Sequence, residues 1–282
     1  MMVHRDQNPG SPFSARRIAD VSPTPRRAVI RRLTALGATL LTLLPPLAAH
    51  AACRQALALG LDVSGSVDGH EYRLQLDGLA TALSSPKVQE ALLAQPDAPV
   101  RITVYEWSGP RDQNVILPWL TINDINDLNT AIGALTAHRR QPAAPTTAIG
   151  AALLAGFALL REQGTCWRRT LDISGDGPAN TGPRPQDIDP ARQPRGVIVN
   201  GLVVGSGDLI TGDNRFADIK ELSSYYRRNV IRGPGAFVET ALGFEDYAAA
   251  MERKLLRELR SLAIGAVDGD TPIFPMSPSA QN

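Results

Sequence analysis

Histidine, aromatic side chains and long apolar runs are all scarce in this chain, and each scarcity removes a class of function. Four histidines occur, at positions 4, 50, 70 and 138. His70 and His138 have no evident partner in the sequence, so a histidine-based catalytic pair has little support. Aromatics make up 5% of residues. Residues 1–51 hold seven arginines against Asp6 and Asp20, so this segment is net +5 and the rest of a +1 chain is −4. An acidic body thin in aromatics offers no footprint for nucleic acid. The apolar stretch 33–47 is too short for a comfortable bilayer span and is broken by Pro45 and Pro46, so no membrane span is expected in the mature chain.

The basic segment reads as an export signal. Arg26, Arg27, Arg31 and Arg32 precede that apolar stretch, and Ala49-His50-Ala51 fits an A-x-A cleavage site. Residues 1–51 are therefore expected to be a leader, 52–265 one folded domain and 266–282 a disordered tail rich in Pro and Ser. The expected location is periplasmic or secreted. Hydrophobic residues are 43% of the chain, enough for one substantial core. Two cysteines, Cys53 and Cys166, leave three readings: a disulfide, a lipidated Cys53 or free thiols. Ala51-Ala52-Cys53 is like the end of a lipoprotein signal, but His50 stands where such signals carry Leu.

Past the leader, apolar strand-like runs alternate with helical ones, the pattern of a parallel sheet covered on both faces. Strands are expected at 57–61, 100–107, 115–122, 170–174 and 197–204. The third should be an antiparallel edge, because its connection is short. Helices are expected at 68–83, 124–137, 148–160, 216–228 and 244–263. The helix at 148–160 is apolar all round and therefore buried against the sheet. The fold class is thus α/β, doubly wound, mostly parallel, with one antiparallel edge strand.

Three strand or helix ends carry oxygen. The first strand runs into Asp62-Val63-Ser64-Gly65-Ser66, with a carboxylate and two hydroxyls at every second position. Thr146 and Thr147 precede the buried helix. Asp176 lies between two glycines after a strand. In open α/β sheets ligands collect at the carboxyl ends of strands. An oxygen-only set with two carboxylates suits a hard divalent cation, Mg²⁺ first, with Mn²⁺ and Ca²⁺ as alternatives. The bland reading is that the serines cap a helix and Gly-Asp-Gly makes a turn.

Asp62, Ser64 and Ser66 resemble the Asp-x-Ser-x-Ser signature of the metal-ion-dependent adhesion site of von Willebrand factor A (VWA) domains. Thr147, followed by Ala-Ile-Gly, is similar to their threonine before a helix, although Thr146 replaces the usual glycine. Asp176-Gly177 matches their second acidic position, whereas Asp172 should lie within its strand. From Leu57 to about Ile264 the chain looks like a bacterial family of exported VWA-like proteins known only as a domain of unknown function. Its further marks are Glu106-Trp107, Asn200-Gly201-Leu202 and Gly233-Pro-Gly-Ala-Phe237.

The resemblance implies a metal site of Asp62, Ser64, Ser66, Thr147 and Asp176 that receives an Asp or Glu carboxylate from a protein partner. It implies a binding module rather than an enzyme, and a last helix that can shift. It also sets the first and fourth strands side by side. Cys53 and Cys166 then fall at matching depth, where a disulfide fits. The alternatives are a metal-dependent hydrolase, which usually needs a second carboxylate where Ser64 stands, and a scaffold with a vestigial site.

Overall fold

The computed structural model describes residues 53–205 and 213–264. The expected leader and the expected tail lie outside the described residues.

Six strands make one sheet in the order β3-β2-β1-β4-β5-β6. They are β1 (Cys53–Asp62), β2 (Val100–Trp107), β3 (Gln113–Ile122), β4 (Cys166–Gly175), β5 (Val197–Val204) and β6 (Val238–Ala241). All neighbours run parallel except β2 and β3. The turn between those two is too short for a crossover, so β3 returns as the antiparallel edge. The short strand β6 has no clear signal in the sequence.

Helices α1 (Gly69–Ser84), α2 (Pro86–Leu93), α3 (Ile125–Ala137) and α6 (Tyr247–Ile264) share one core with the sheet, and α4 (Ile149–Arg161) and α5 (Asp213–Asn229) share the other. Strand β1 shows why one run serves both faces. Leu57, Leu59 and Leu61 point into the first core, while Ala56 and Ala58 point toward α4 in the second. A two-sided burial requires the continuous apolar run that β1 displays.

Cys53 and Cys166 are register partners on β1 and β4, with Cα atoms 4.5 Å apart, and are bonded to each other. This bond rules out lipidation of Cys53 and leaves no free cysteine among the described residues. It staples the amino ends of the two central strands. The carboxyl ends of the same strands are where Asp62 and Asp176 emerge.

Candidate metal centre

The loop after β1 ends in a helix cap. Asp68 accepts from the amides of His70 and Glu71, and Glu71 returns a bond from the Asp68 amide at 2.8 Å. This capping box starts α1. The cap is therefore Asp68, and neither Ser64 nor Ser66 is used for it. The serine hydroxyls are free for other work.

That work lies at the sheet's carboxyl end. Ser66 Oγ donates to Asp176 Oδ1 at 2.8 Å, joining the loops after β1 and β4, and lies 3.2 Å from Ser64 Oγ. The Ser64 amide donates to Asp62 Oδ1 at 2.8 Å. The loop before α4 is tied in twice. The Gly65 amide donates to the Pro145 carbonyl at 3.1 Å, and the Thr147 amide donates to Asn180 Oδ1 at 2.8 Å. Asn180 in turn gives its own amide to the Thr147 carbonyl at 3.0 Å. The three loops thus converge. Thr146 sits elsewhere, against Gly109.

The cluster grades from interior to solvent. Asp62, Ser64 and Thr147 are buried, Asp176 is half-buried and Ser66 is exposed. Asp62 Oδ2 is buried with no hydrogen-bond partner. Burial, and then the charge of Asp176, push the Asp62 carboxyl up to about 8, with Ser64 and Arg140 only partly offsetting them. Burial also raises Asp176, against the pull of the Ser66 hydroxyl. Two carboxylates that disfavour each other's charge, around an orphaned oxygen, are chemically suited to a cation. Among the described residues no group of three or more His, Cys, Asp or Glu side chains converges. Hydroxyls complete this set in place of a third acid.

Gly175 has a close-packing role here. A Cβ on it would come within 2.5 Å of Tyr226 Oη and 3.0 Å of Asp62 Oδ2. Tyr226 is wholly buried and its hydroxyl has no partner, so a second orphan oxygen backs the site. Beside Asp176 a cavity of about 330 Å³ opens between β5 and α5, with Ile219, Leu222, Tyr225 and Arg228 in its wall.

Several supporting residues were not legible in the sequence. Arg140 donates to the carbonyls of Val63 and Ser64 at 3.1 and 3.2 Å, which pins the loop from the α3 side. Asn180 has no sequence signal beyond its place four residues after Asp176. His138 Nε2 lies 3.2 Å from Glu106 Oε1, a contact without hydrogen-bond geometry, and that oxygen accepts from Tyr72 Oη at 2.5 Å. Glu106 ends β2 as expected but carries this buried network, while Trp107 fills core. His70 is exposed on the first turn of α1. Asp172 lies within β4, as expected, and contacts Lys254 instead of the loops.

Several solved structures are similar to this chain. The pilus adhesin SpaC from Lactobacillus rhamnosus GG matches at 15% identity and TM-score 0.49, covering 74% of this chain and 30% of its own. The vWF domain of the type V pili tip protein Mfa5 from Porphyromonas gingivalis matches at 12% and 0.49, covering 79% and 99%. Proximal thread matrix protein 1 from the mussel byssus, with a zinc-occupied MIDAS motif, matches at 16% and 0.48, covering 75% and 48%. The chain therefore spans about half the length of the mussel protein and less of SpaC. No curated protein matches the sequence. A family model does match, over residues 52–263, and the chain belongs to that family: Protein of unknown function (DUF1194).

Proposed function

We propose that the three loops form a divalent-cation site and that the chain is an exported protein-binding module, which takes an acidic side chain of a partner at that site. One arrangement carries the reading: Ser66 Oγ bonds Asp176 across 110 residues of sequence, beside the buried and unpartnered Oδ2 of Asp62. Asp62, Ser64, Ser66, Thr147 and Asp176 would hold the ion, Mg²⁺ first and Mn²⁺ or Ca²⁺ otherwise, directly or through water. When bound, it supplies a Lewis-acidic contact for one external carboxylate. Asp62 and Asp176 just balance a divalent charge, and the hydroxyls add none. An incoming Asp or Glu therefore meets no third protein carboxylate at the ion. The disulfide suits an oxidising compartment, which agrees with a periplasmic or secreted location.

Calorimetry on the parent and on Asp62→Ala tests the site. The parent is expected to bind Mg²⁺ and the variant not to. Unchanged Mg²⁺ affinity in the variant would end this reading. Affinity capture from cell-envelope extract, with Mg²⁺ and again with chelator, tests the partner half, since a true partner is retained only in the first. A metal-dependent hydrolase is the second reading, and the buried Glu106–His138 contact beside the metal loop is the observation in its favour. Turnover of phosphoesters or esters with Mg²⁺ or Mn²⁺ would favour it.

A further inference from the structure

The end of the sheet opposite the candidate cation site carries a patch that this site does not use. Trp167, the second residue of β4, leaves 66% of its surface exposed, more than Val115, Ile125 or Leu242, the other exposed large hydrophobics among the described residues. Arg168 and Arg169 come next on the strand. Arg169 donates to the carbonyls of Leu160 and Arg195, and Arg161 donates to the carbonyl of Arg192 at 3.1 Å. These bonds gather the end of α4, the start of β4 and the segment before β5 into one place. Their partners are neutral carbonyls, so each guanidinium keeps its full charge.

Among the described residues, none of Arg161, Arg169, Arg192 and Arg195 forms an ion pair. Glu162, the residue after α4, and Asp189, which caps the turn holding Arg192, are the acidic neighbours and offset two of these charges. Positive charge here runs against the trend of the molecule, since the chain beyond residue 51 is net −4.

An exposed indole with exposed arginines on the neighbouring segments has the chemistry of a membrane interface. The ring settles at headgroup level, while guanidinium groups reach anionic phosphates. Cys53 is bonded to Cys166, the residue before Trp167, so the patch lies at the amino end of the two central strands, opposite the candidate cation site.

We propose that the Trp167–arginine end of the domain rests on an anionic phospholipid surface. The cation site lies at the other end of β1, roughly 30 Å away for a strand of this length, and would face outward from the bilayer. The two readings are independent, because the patch shares no residue with the cation site.

Vesicle co-sedimentation of the exported protein, recovered from the periplasmic fraction and held in chelator, is the test. Chelator keeps the cation site out of the result. The protein is expected to sediment with phosphatidylglycerol-containing vesicles at low salt, to be released by high salt, and to ignore pure phosphatidylcholine. Its tryptophan emission should shift to the blue on the vesicles. Trp107 is fully buried and Trp119 is half-buried on the edge strand β3, so most of this shift should vanish in Trp167→Phe. Charge reversal in Arg192→Glu/Arg195→Glu should lower partitioning about tenfold or more. All these side chains are exposed, so thermal midpoints should stay at the parent value. Three results would each overturn the proposal: equal partitioning of the parent and these variants, equal uptake by neutral vesicles, or binding to heparin without uptake by anionic vesicles.

Discussion

Gln75 on α1 donates from Nε2 to the main-chain carbonyl of Asp62 at 3.0 Å, wholly inside the protein. Its Oε1 accepts from Ser174 Oγ at 3.3 Å, and Ser174 accepts from Tyr247 Oη at 3.1 Å. A buried relay thus joins the first residue of the candidate metal loop to β4 and to the first residue of α6. Gln75→Met keeps the volume but leaves buried polar groups at Asp62 and Ser174 unpaired, at about 1–3 kcal/mol each. The expected result is a loss of about 2 kcal/mol or more in urea unfolding, with weaker Mg²⁺ binding because the Asp62 backbone loses its anchor. Tyr247→Phe removes only the far donor. It should cost about 1 kcal/mol and leave Mg²⁺ affinity in calorimetry unchanged. Equal effects of the two variants on Mg²⁺ would mean that the relay does not hold the loop.

Legibility in the sequence depended on how each part of the site is encoded. The strand ends at Asp62 and Asp176 were readable because two-sided burial forces a continuous apolar run, and the change to polar residues marks its tip. Matching depths of Cys53 and Cys166 required only that β1 and β4 be neighbours, which the family resemblance supplied. Asn180, Gln75 and Arg140 were not readable. Each is a polar residue whose partner is a main-chain group or side chain distant in sequence, and no periodicity marks such pairings. Thr146 and Thr147 could not be separated chemically in the sequence, but the fold turns one to Gly109 and the other to Asn180. Lys254 carries no sequence signal that separates it from the other charged residues of α6. It is wholly buried, because two carboxylates await it.

Gly65 is required by closeness, since a Cβ there would lie 2.9 Å from Pro145 Cβ and 3.0 Å from the Pro145 carbonyl oxygen. Gly65→Ala should push the Thr147 loop away from Ser64 and Ser66 without touching a proposed ligand. Overpacking of this kind costs about 1–3 kcal/mol. The variant is expected to stay folded by circular dichroism and to bind Mg²⁺ about tenfold or more weakly, which is what about 1.4 kcal/mol corresponds to. An unchanged affinity would show that Thr147 contributes nothing to the ion.

The Cys53–Cys166 bond closes a loop of sequence separation 113. On the chain-entropy model such a crosslink stabilises by up to about 4–5 kcal/mol. Cys53→Ser/Cys166→Ser should therefore lower the thermal midpoint clearly, while Mg²⁺ affinity of the folded fraction stays at the parent value, because the bond lies at the opposite end of β1. Equal midpoints for the parent and the variant would place the bond's contribution near zero.

Lys254 Nζ contacts Asp172 Oδ1 and lies 2.5 Å from Glu258 Oε1, with all three side chains buried and Asn200 Nδ2 adding a bond to Glu258 at 2.6 Å. Burial alone would lower the lysine, but the two carboxylates outweigh it and hold the ammonium charged. Lys254→Met strands both acids and should cost about 3–5 kcal/mol. Glu258 gives the pH dependence. Burial first, and then the charge of Asp172, push its carboxyl up to about 8 despite Lys254. The folded protein therefore holds a proton that the unfolded chain releases above about 4.3. By linkage, the Glu258 contribution favours folding most below that value and is lost as pH rises toward about 8. Asp62 adds a slope of the same sign in metal-free protein, so the useful comparison is between variant and parent at each pH. Urea unfolding between pH 5 and about 8, in chelator, should show the parent losing stability faster than Glu258→Gln, whose side chain cannot ionise. Parallel curves would mean that Glu258 is already ionised in the folded state at pH 5 and that Lys254 alone outweighs its burial.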